Sequence, residues 1–423
     1  MNLASLASGL PAFRPLAAGL LAALMAGAGC HDDEGQDTDT DTGGEYEQGV
    51  ETPASGHAPA ASCPPGAPVL GSSGPIAQDL AYRLLRFDLP WSGNGAQSFV
   101  DDYLYFVIPD DILSLLIAVE HGAEYTALNT MAIDGEPMID LLGAIGEPPF
   151  YHWPVEVASV AMPISLDTVP RGSCLAVDPV VYADVAGQTG VLHVVTRRGA
   201  AQPTVIDVNV FVVGGTTIAE ADIMAAVTRM GEVYVQGGAP TIGDVKLSTL
   251  DWSRAVVDSE GQEADALRAL TAGAAPTAIN LLFVQDFTEV GTLGIAAGIP
   301  GPNGVPGTAA SAVMVSVDSH LDGDGTTLLT DLMGETMAHE VGHQIGLYHT
   351  TESDGLSFDP IADTLECGVA FDADGDGELT AEECQAQDGR NFMFWTAAES
   401  FGQFEMSPTQ ARILRDCVIA RPQ

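Results

Sequence analysis

The sequence predicts an α+β chain in two globular parts, an antiparallel β-sandwich over about 64–200 followed by a sheet-and-helix domain over 203–423. Three observations carry this. Between 64 and 199, short apolar or alternating runs are separated by Gly, Pro, Asp and Asn, with no long 3.6-residue period among them. From 203 onward, strand-like runs alternate with segments of helical spacing. With 423 residues, 46% of them hydrophobic, the chain is long enough for packed cores and tails.

In chain order, Arg14 precedes the apolar run 16–25, which is too short to span a bilayer as a mature helix. Small residues then lead to Cys30, and 1–29 reads as an export signal. The segment Leu24-Met25-Ala26-Gly27-Ala28-Gly29-Cys30 resembles a bacterial lipoprotein processing site, in which Cys30 is acylated and becomes the mature N-terminus. Gly27 stands where such sites usually carry Leu. The expected location is therefore the cell envelope or surface, with membrane contact only through that lipid. Residues 30–63 begin His31-Asp32-Asp33-Glu34, run on through Asp-Thr repeats, and have almost nothing apolar to bury, so they read as a disordered acidic tether.

The sandwich is expected to have about eight strands, with 103–108, 113–119, 155–164 and 191–196 the clearest. His121, His152 and His193 are scattered through it and read as surface or core histidines, not as a site. Beyond it, 205–213 reads as a strand and 218–235 as a helix with Ile223, Ala226, Val227 and Met230 on one face. Strands follow at 245–250, 279–285 and 312–317, then a helix over about 328–345. The rest is irregular apart from one late helix, with Ser407 as N-cap and Pro408 in its first turn.

Charge excludes one class of partner. Fifty-eight acidic side chains face 14 basic ones, a formal net charge of -44, and such a surface repels the phosphate backbone of nucleic acid. After Cys30 the cysteines are Cys63, Cys174, Cys367, Cys384 and Cys417, an odd number, so at least one lacks an internal partner. Cys367 and Cys384 bracket one loop and are the first candidate pair. Cys63 with Cys174 is a second, and the connectivity is otherwise open.

Chemistry concentrates in His339-Glu340-Val341-Gly342-His343-Gln344-Ile345-Gly346-Leu347-Tyr348-His349. At i and i+4, His339 and His343 project from one helical face and can hold a single Zn²⁺. Glu340 is offset around the helix, where it can reach a zinc-bound water as general base. Gly346 allows an abrupt helix stop, because glycine enters left-handed conformations freely, and the returning chain can offer His349 as third ligand. Three protein ligands leave one position open, as catalytic zinc requires. A second metal is expected downstream. Asp372, Asp374, Asp376, Thr380 and Glu383 fall at the oxygen-ligand positions of a twelve-residue EF-hand loop. Gly377 occupies the glycine position, and Glu378 ligates through its backbone carbonyl. No clear entering helix precedes Asp372, so Ca²⁺ is expected as a structural staple and not as part of a paired EF-hand. The shorter Asp322-Gly323-Asp324-Gly325 reads as a turn.

These residues resemble the metzincin metallopeptidases. Members carry a methionine turn beneath the zinc, and Asn391-Phe392-Met393-Phe394-Trp395 makes Met393 the candidate. The details are most similar to the pappalysin-type branch, through Gly294-Ile295-Ala296 with Pro300-Gly301, Asp359-Pro360-Ile361-Ala362-Asp363-Thr364, and Ser407-Pro408-Thr409-Gln410-Ala411-Arg412. Many members have tyrosine two residues after the methionine. Here Trp395 can donate a hydrogen bond but cannot act as a phenol. The resemblance implies a zincin-like catalytic domain that hydrolyses protein or peptide substrates lying extended along an edge strand, taken to be 312–317. The expectation is an exported zinc metalloendopeptidase. The alternative is a cell-surface binding lipoprotein that keeps a zinc site without turnover, which loss of Glu340 or a ligand would favour, and none is lost. A further possibility is latency, with the Cys174 thiolate in the open zinc position, competing with a Cys63–Cys174 disulfide.

Overall fold

The computed structural model describes residues 59–71, 82–90, 92–93, 98–99, 103–120, 125–140, 156–163, 169–182, 189–199, 203–398 and 400–423. The expected export signal, Cys30, most of the acidic tether, His121 and His152 lie outside these residues. No helix among the described residues is long and apolar enough to cross a membrane.

In the first part of the chain two antiparallel sheets face one another. One runs in the order Tyr82–Pro90, Thr189–Arg198, Ile112–Glu120, Val157–Met162. In the other, Ser92–Gly93, Ser98–Phe99, Cys174–Tyr182, Tyr125–Ile133 and Glu136–Asp140 follow in order, and Leu104–Val107 also pairs with Cys174–Tyr182. Leu115, Ile117 and Val119 from the first sheet meet Leu128, Met131, Leu175 and Val177 from the second in one apolar core. The strand Ile112–Glu120 is buried along nearly its whole length, because alternate residues serve different cores. Leu116 and Ala118 point the other way and join the core of the second part. That double burial explains why ILSLLIAV reads as a continuous apolar run with no alternation. His193 is a buried strand residue whose Nε2 lies 2.9 Å from Glu120 Oε1.

The second part is built on a sheet ordered Thr241–Leu250, Thr204–Val213, Ala278–Val284, Val313–Ser316, Gly294–Ile295. The first four strands are parallel and the last is antiparallel. The sequence placed the free edge at 312–317. Instead Gly294–Ile295 pairs along that strand, Gly294 with Val315 and Ile295 with Met314, and becomes the edge itself. Two residues carry no periodicity, which hid this strand.

Helix α1, Glu220–Tyr234, buries Ile223, Ala226, Val227, Met230, Val233 and Tyr234, the stripe that its spacing predicts. Helix α2, Gly261–Ala269, was not anticipated. Helix α3, Thr330–Ile345, packs against α1 at Gly334, where a Cβ would strike the Ala226 carbonyl and Arg229. Tyr234 Oη donates to the Ala338 carbonyl at 2.8 Å across the same contact. Helix α4, Pro408–Asp416, has a complete capping box between Ser407 and Gln410. Asp363 supports that end, accepting from Ser407 Oγ at 2.8 Å and from the Thr409 N–H at 3.1 Å. Disulfides join Cys63 to Cys174 and Cys367 to Cys384, and Cys417 is free and buried. Cys174 therefore has no thiolate to offer a metal, and the latency possibility falls.

Candidate metal centre

Helix α3 ends where the sequence puts its glycine. Gly346 has φ 121°, and its N–H reaches the His343 carbonyl at 2.8 Å while the Leu347 N–H reaches that of Gly342 at 2.9 Å. These are the two hydrogen bonds of a Schellman stop, and they satisfy carbonyls that a helix end otherwise leaves open. The reversal carries His349 back over the helix face that bears His339 and His343.

The three rings converge. His343 Nε2 lies 3.0 Å from His349 Nε2, which lies 3.3 Å from His339 Nε2. Each ring has its other nitrogen on an acceptor: His339 Nδ1 at 2.8 Å from the Phe392 carbonyl, His343 Nδ1 at 2.7 Å from the Leu347 carbonyl, and His349 Nδ1 at 3.0 Å from both Glu352 oxygens. A carbonyl or carboxylate accepts only from N–H, so the proton sits on Nδ1 in every case and the Nε2 lone pairs face one another. Burial lowers the pKa of His339 to about 3 and holds His343 well below its ordinary value, so both rings are neutral. Burial acts against charge on His349 as well, but the Glu352 carboxylate outweighs it and the pKa is raised.

Three Nε2 atoms at this spacing are drawn together by a shared cation, either a proton or a metal ion. Nitrogen ligands of a tetrahedral zinc, each about 2.0–2.1 Å from the metal, stand about 3.3 Å apart. The donor set and its spacing therefore fit zinc, and together these residues form one of the groups among the described residues able to hold a metal ion.

Glu340 is on the same turn but faces the sheet. It is 2% exposed, and its Oε2 accepts the Ala296 N–H at 2.8 Å. Burial pushes its carboxyl up to about 7, although the Ala296 hydrogen bond favours the charged form. Gly294 makes the approach possible, since a Cβ there would press on Glu340 Cγ at 2.8 Å and on Thr336 Cγ2 at 2.9 Å. A cavity opens beside Glu340 and His339, walled by Ile295, Leu332, Phe394 and Trp395. Beneath the helix, Met393 is fully buried against Gly342, and its carbonyl accepts the Thr350 N–H at 2.9 Å. Trp395 Nε1 donates to the Leu379 carbonyl at 2.7 Å, so its one donor is taken up inside the fold.

In the downstream acidic loop, carboxylate oxygens of Asp372, Asp374 and Glu383 come within 4.8 Å of one another. Gly375 and Gly377 take φ 75° and 90° to make the turn. Nearby, Asp376 accepts the Glu378 N–H at 2.9 Å, and Thr380 Oγ1 donates to Glu383 at 2.9 Å. Sequence reasoning missed Glu352, the Ala296 N–H and the Phe392 and Leu347 carbonyls. All four are partners brought in by turns or by the edge strand, and no spacing rule points to them.

Residues 221–350, from helix α1 through the third histidine, match the metallo-peptidase family M12B, reprolysin-like. Matches among solved structures include metalloproteinase-II from Bacteroides fragilis, 12% identical over 39% of this chain and 54% of that one, with a TM-score of 0.25. Archaemetzincin from Methanopyrus kandleri is 20% identical over 37% of this chain and 83% of that one, with a TM-score of 0.24. The chain thus spans about half the length of the first of these. No curated protein sequence matches it.

Proposed function

We propose that the protein is an exported, zinc-dependent endopeptidase of metzincin type, closest in its details to the pappalysin branch, in which His339, His343 and His349 hold the metal and Glu340 is the general base. The observation that carries this reading is the convergence of three Nε2 lone pairs at 3.0 and 3.3 Å beside a buried carboxylate. The match of 221–350 to a metallopeptidase family supports it independently.

Zinc, when bound, supplies Lewis acidity that activates a water and polarises a peptide carbonyl. The rest is done by side chains. Glu340 takes a proton from the attacking water and returns it to the leaving amine. A carboxyl group can do both, accepting as the carboxylate and donating as the acid. The Ala296 N–H holds one Glu340 oxygen, which leaves the other free to turn toward the substrate. The substrate backbone lies along Gly294–Ile295, whose other side is already paired with Val313–Ser316. Met393 acts as the packing floor under the metal-binding turn, and Gly346 as the residue that sends the chain back with His349.

We extend the reading to three further points. The facing sheets of the first part form a β-sandwich. The chain is anchored through lipid on Cys30. The loop 372–383 takes Ca²⁺ as a structural ion, with Asp372, Asp374 and Glu383 as side-chain ligands and Asp376, Thr380 and the Glu378 carbonyl closing around it.

The deciding experiment compares wild type with Glu340→Ala on a proteome-derived peptide library, with zinc content measured on the same preparations. The variant is expected to keep one zinc and lose turnover by about 10²–10⁴-fold, the usual contribution of a positioned general base. Full activity in the variant would end the mechanism, and absence of zinc from the wild type would end the assignment.

A further inference from the structure

Of the three ligand histidines, two give Nδ1–H to a neutral backbone carbonyl, and one gives it to a carboxylate. The exception is His349, whose Nδ1 stands 3.0 Å from both oxygens of Glu352. The arrangement is built and not incidental. The Glu352 N–H reaches the Ser357 carbonyl at 3.0 Å, and the Gly355 N–H reaches the Glu352 carbonyl at 3.0 Å, closing a tight turn. Gly355 takes φ 64° inside that turn, and a Cβ there would strike Leu379 and the Val369 N. The Leu379 N–H binds the neighbouring Ser353 carbonyl at 2.7 Å, so the turn is tied from outside as well. Thr351 and Phe358 form a bridge across its base. The Glu352 side chain is thus presented to His349 by fixed backbone and is 29% exposed.

Resting on the zinc reading above, we propose that Glu352 is a positioning residue for the metal. It accepts Nδ1–H of His349 at both oxygens, fixes that ring with Nε2 aimed at the metal, and lends it anionic character that His339 and His343 lack. Such a carboxylate does two things. It raises the basicity of the ligand nitrogen, and it holds the one ligand that lies outside the helix, whose aim is otherwise set only by the chain after Gly346. Helix geometry already orders His339 and His343, which is why a backbone carbonyl suffices for them.

The test uses the full chain as wild type, Glu352→Gln, Glu352→Ala and Glu366→Gln. Zinc affinity is measured by competition with a chromophoric chelator, and folding by the melting of each metal-free protein. Glu366 is exposed and removes the same charge elsewhere, as a control for the strongly acidic molecule. Glu352→Ala is expected to bind zinc about 10–100-fold more weakly. Glu352→Gln should fall between, because its amide oxygen still accepts Nδ1–H but carries no charge. Glu366→Gln should stay within about two-fold of wild type, since an exposed charge that makes no bond to a ligand ring is screened. Wild-type affinity in a folded Glu352→Ala overturns the proposal, as does an equal loss in Glu366→Gln. If Glu352→Ala does not fold, the isosteric Gln variant decides, and unchanged affinity there overturns it. Wild-type protein that takes up no zinc would remove both this assignment and the peptidase reading, whereas loss confined to Glu352 variants supports both.

Discussion

Gly342 sits on helix α3 between His339 and His343, and a Cβ on it would run into Met393 Sδ. The absence of a side chain is what lets Met393 lie directly under the helix face that bears His339 and His343. Gly342→Ala should therefore cost about 1–3 kcal/mol, as overpacking of a filled core does, and should lower zinc occupancy because both neighbouring ligands move with the turn. A urea midpoint and zinc content equal to wild type would contradict that packing role. His320 gives a second prediction. It is fully buried, with Nδ1 2.6 Å from the Ser316 carbonyl and Nε2 3.0 Å from Thr336 Oγ1, and burial lowers its pKa to about 4. In the unfolded chain the ring takes a proton near 6.5. Above that pH it is neutral in both states and has no effect on stability. As pH falls from 6.5 toward 4, the unfolded chain binds a proton that the folded chain refuses, and stability drops by up to about 3 kcal/mol. Proton NMR of the folded protein should show the His320 ring still neutral at pH 5, and a titration near 6.5 would refute its burial. At this scale the sequence was legible where chemistry follows helical period. His339, His343 and Glu340 follow from positions i, i+4 and i+1 on one helix. Glu352 and the Ala296 N–H meet the site through turns and strand pairing that distant residues decide, and no local pattern encodes them.

Among elements, the loop 372–383 has two fixed attachments at a single residue. The Leu379 N–H binds Ser353, and the Leu379 carbonyl receives Trp395 Nε1–H, both at 2.7 Å. Cys367 and Cys384 close the same region. A cation that draws Asp372, Asp374 and Glu383 together should stiffen this whole segment. With zinc kept in excess, removing calcium with a selective chelator should lower the melting temperature by about 5–10 °C, the effect of a ligand present at roughly a hundred times its dissociation constant. A melting curve indifferent to calcium would leave the loop as a solvated acidic turn. Element boundaries were legible in proportion to length. Helix α1, helix α3 and the strand Thr204–Val213 were read within a few residues of where they lie, because each repeats its period several times. Ser407 was readable as an N-cap because the capping box is a local code. Helix α2 escaped, since GQEADALRA buries only Ala264, Leu267 and Arg268 and offers no long stripe. The edge at Gly294–Ile295 escaped because a two-residue strand is defined by its partner, not by its own sequence.

For the whole molecule, the two parts share a core. Leu116, Ala118, Val157, Ala161 and Val195 of the first part join Val305, Ala310 and Ile345 of the second. Ser159 Oγ donates to the Pro300 carbonyl at 2.6 Å, and buried Arg197 donates to the Arg415 carbonyl at 2.6 Å. A protein beginning at Pro203 would present that apolar face to water and lose the Arg197 hydrogen bond to the Arg415 carbonyl. It should aggregate, or melt at least about 10 °C below the full chain, because several large side chains lose about 1.5–3 kcal/mol of burial each. A truncated protein as soluble and heat-stable as the full one would show the contact to be dispensable. The boundary that the sequence reading draws near 200 rests on a change of rhythm in the chain. Pattern alone cannot say that the strands before the boundary have a second face turned toward the residues after it.

That shared core bears on how such an enzyme could be matured. A peptidase that is switched on by discarding its leading segment must be able to release it once the connecting chain is cut. Here a nick between Gly199 and Pro203 would sever the backbone but leave the fragments gripping each other through Leu116, Val195 and the Arg197–Arg415 bond. The leading part would in this respect behave as a subunit that happens to be covalently attached.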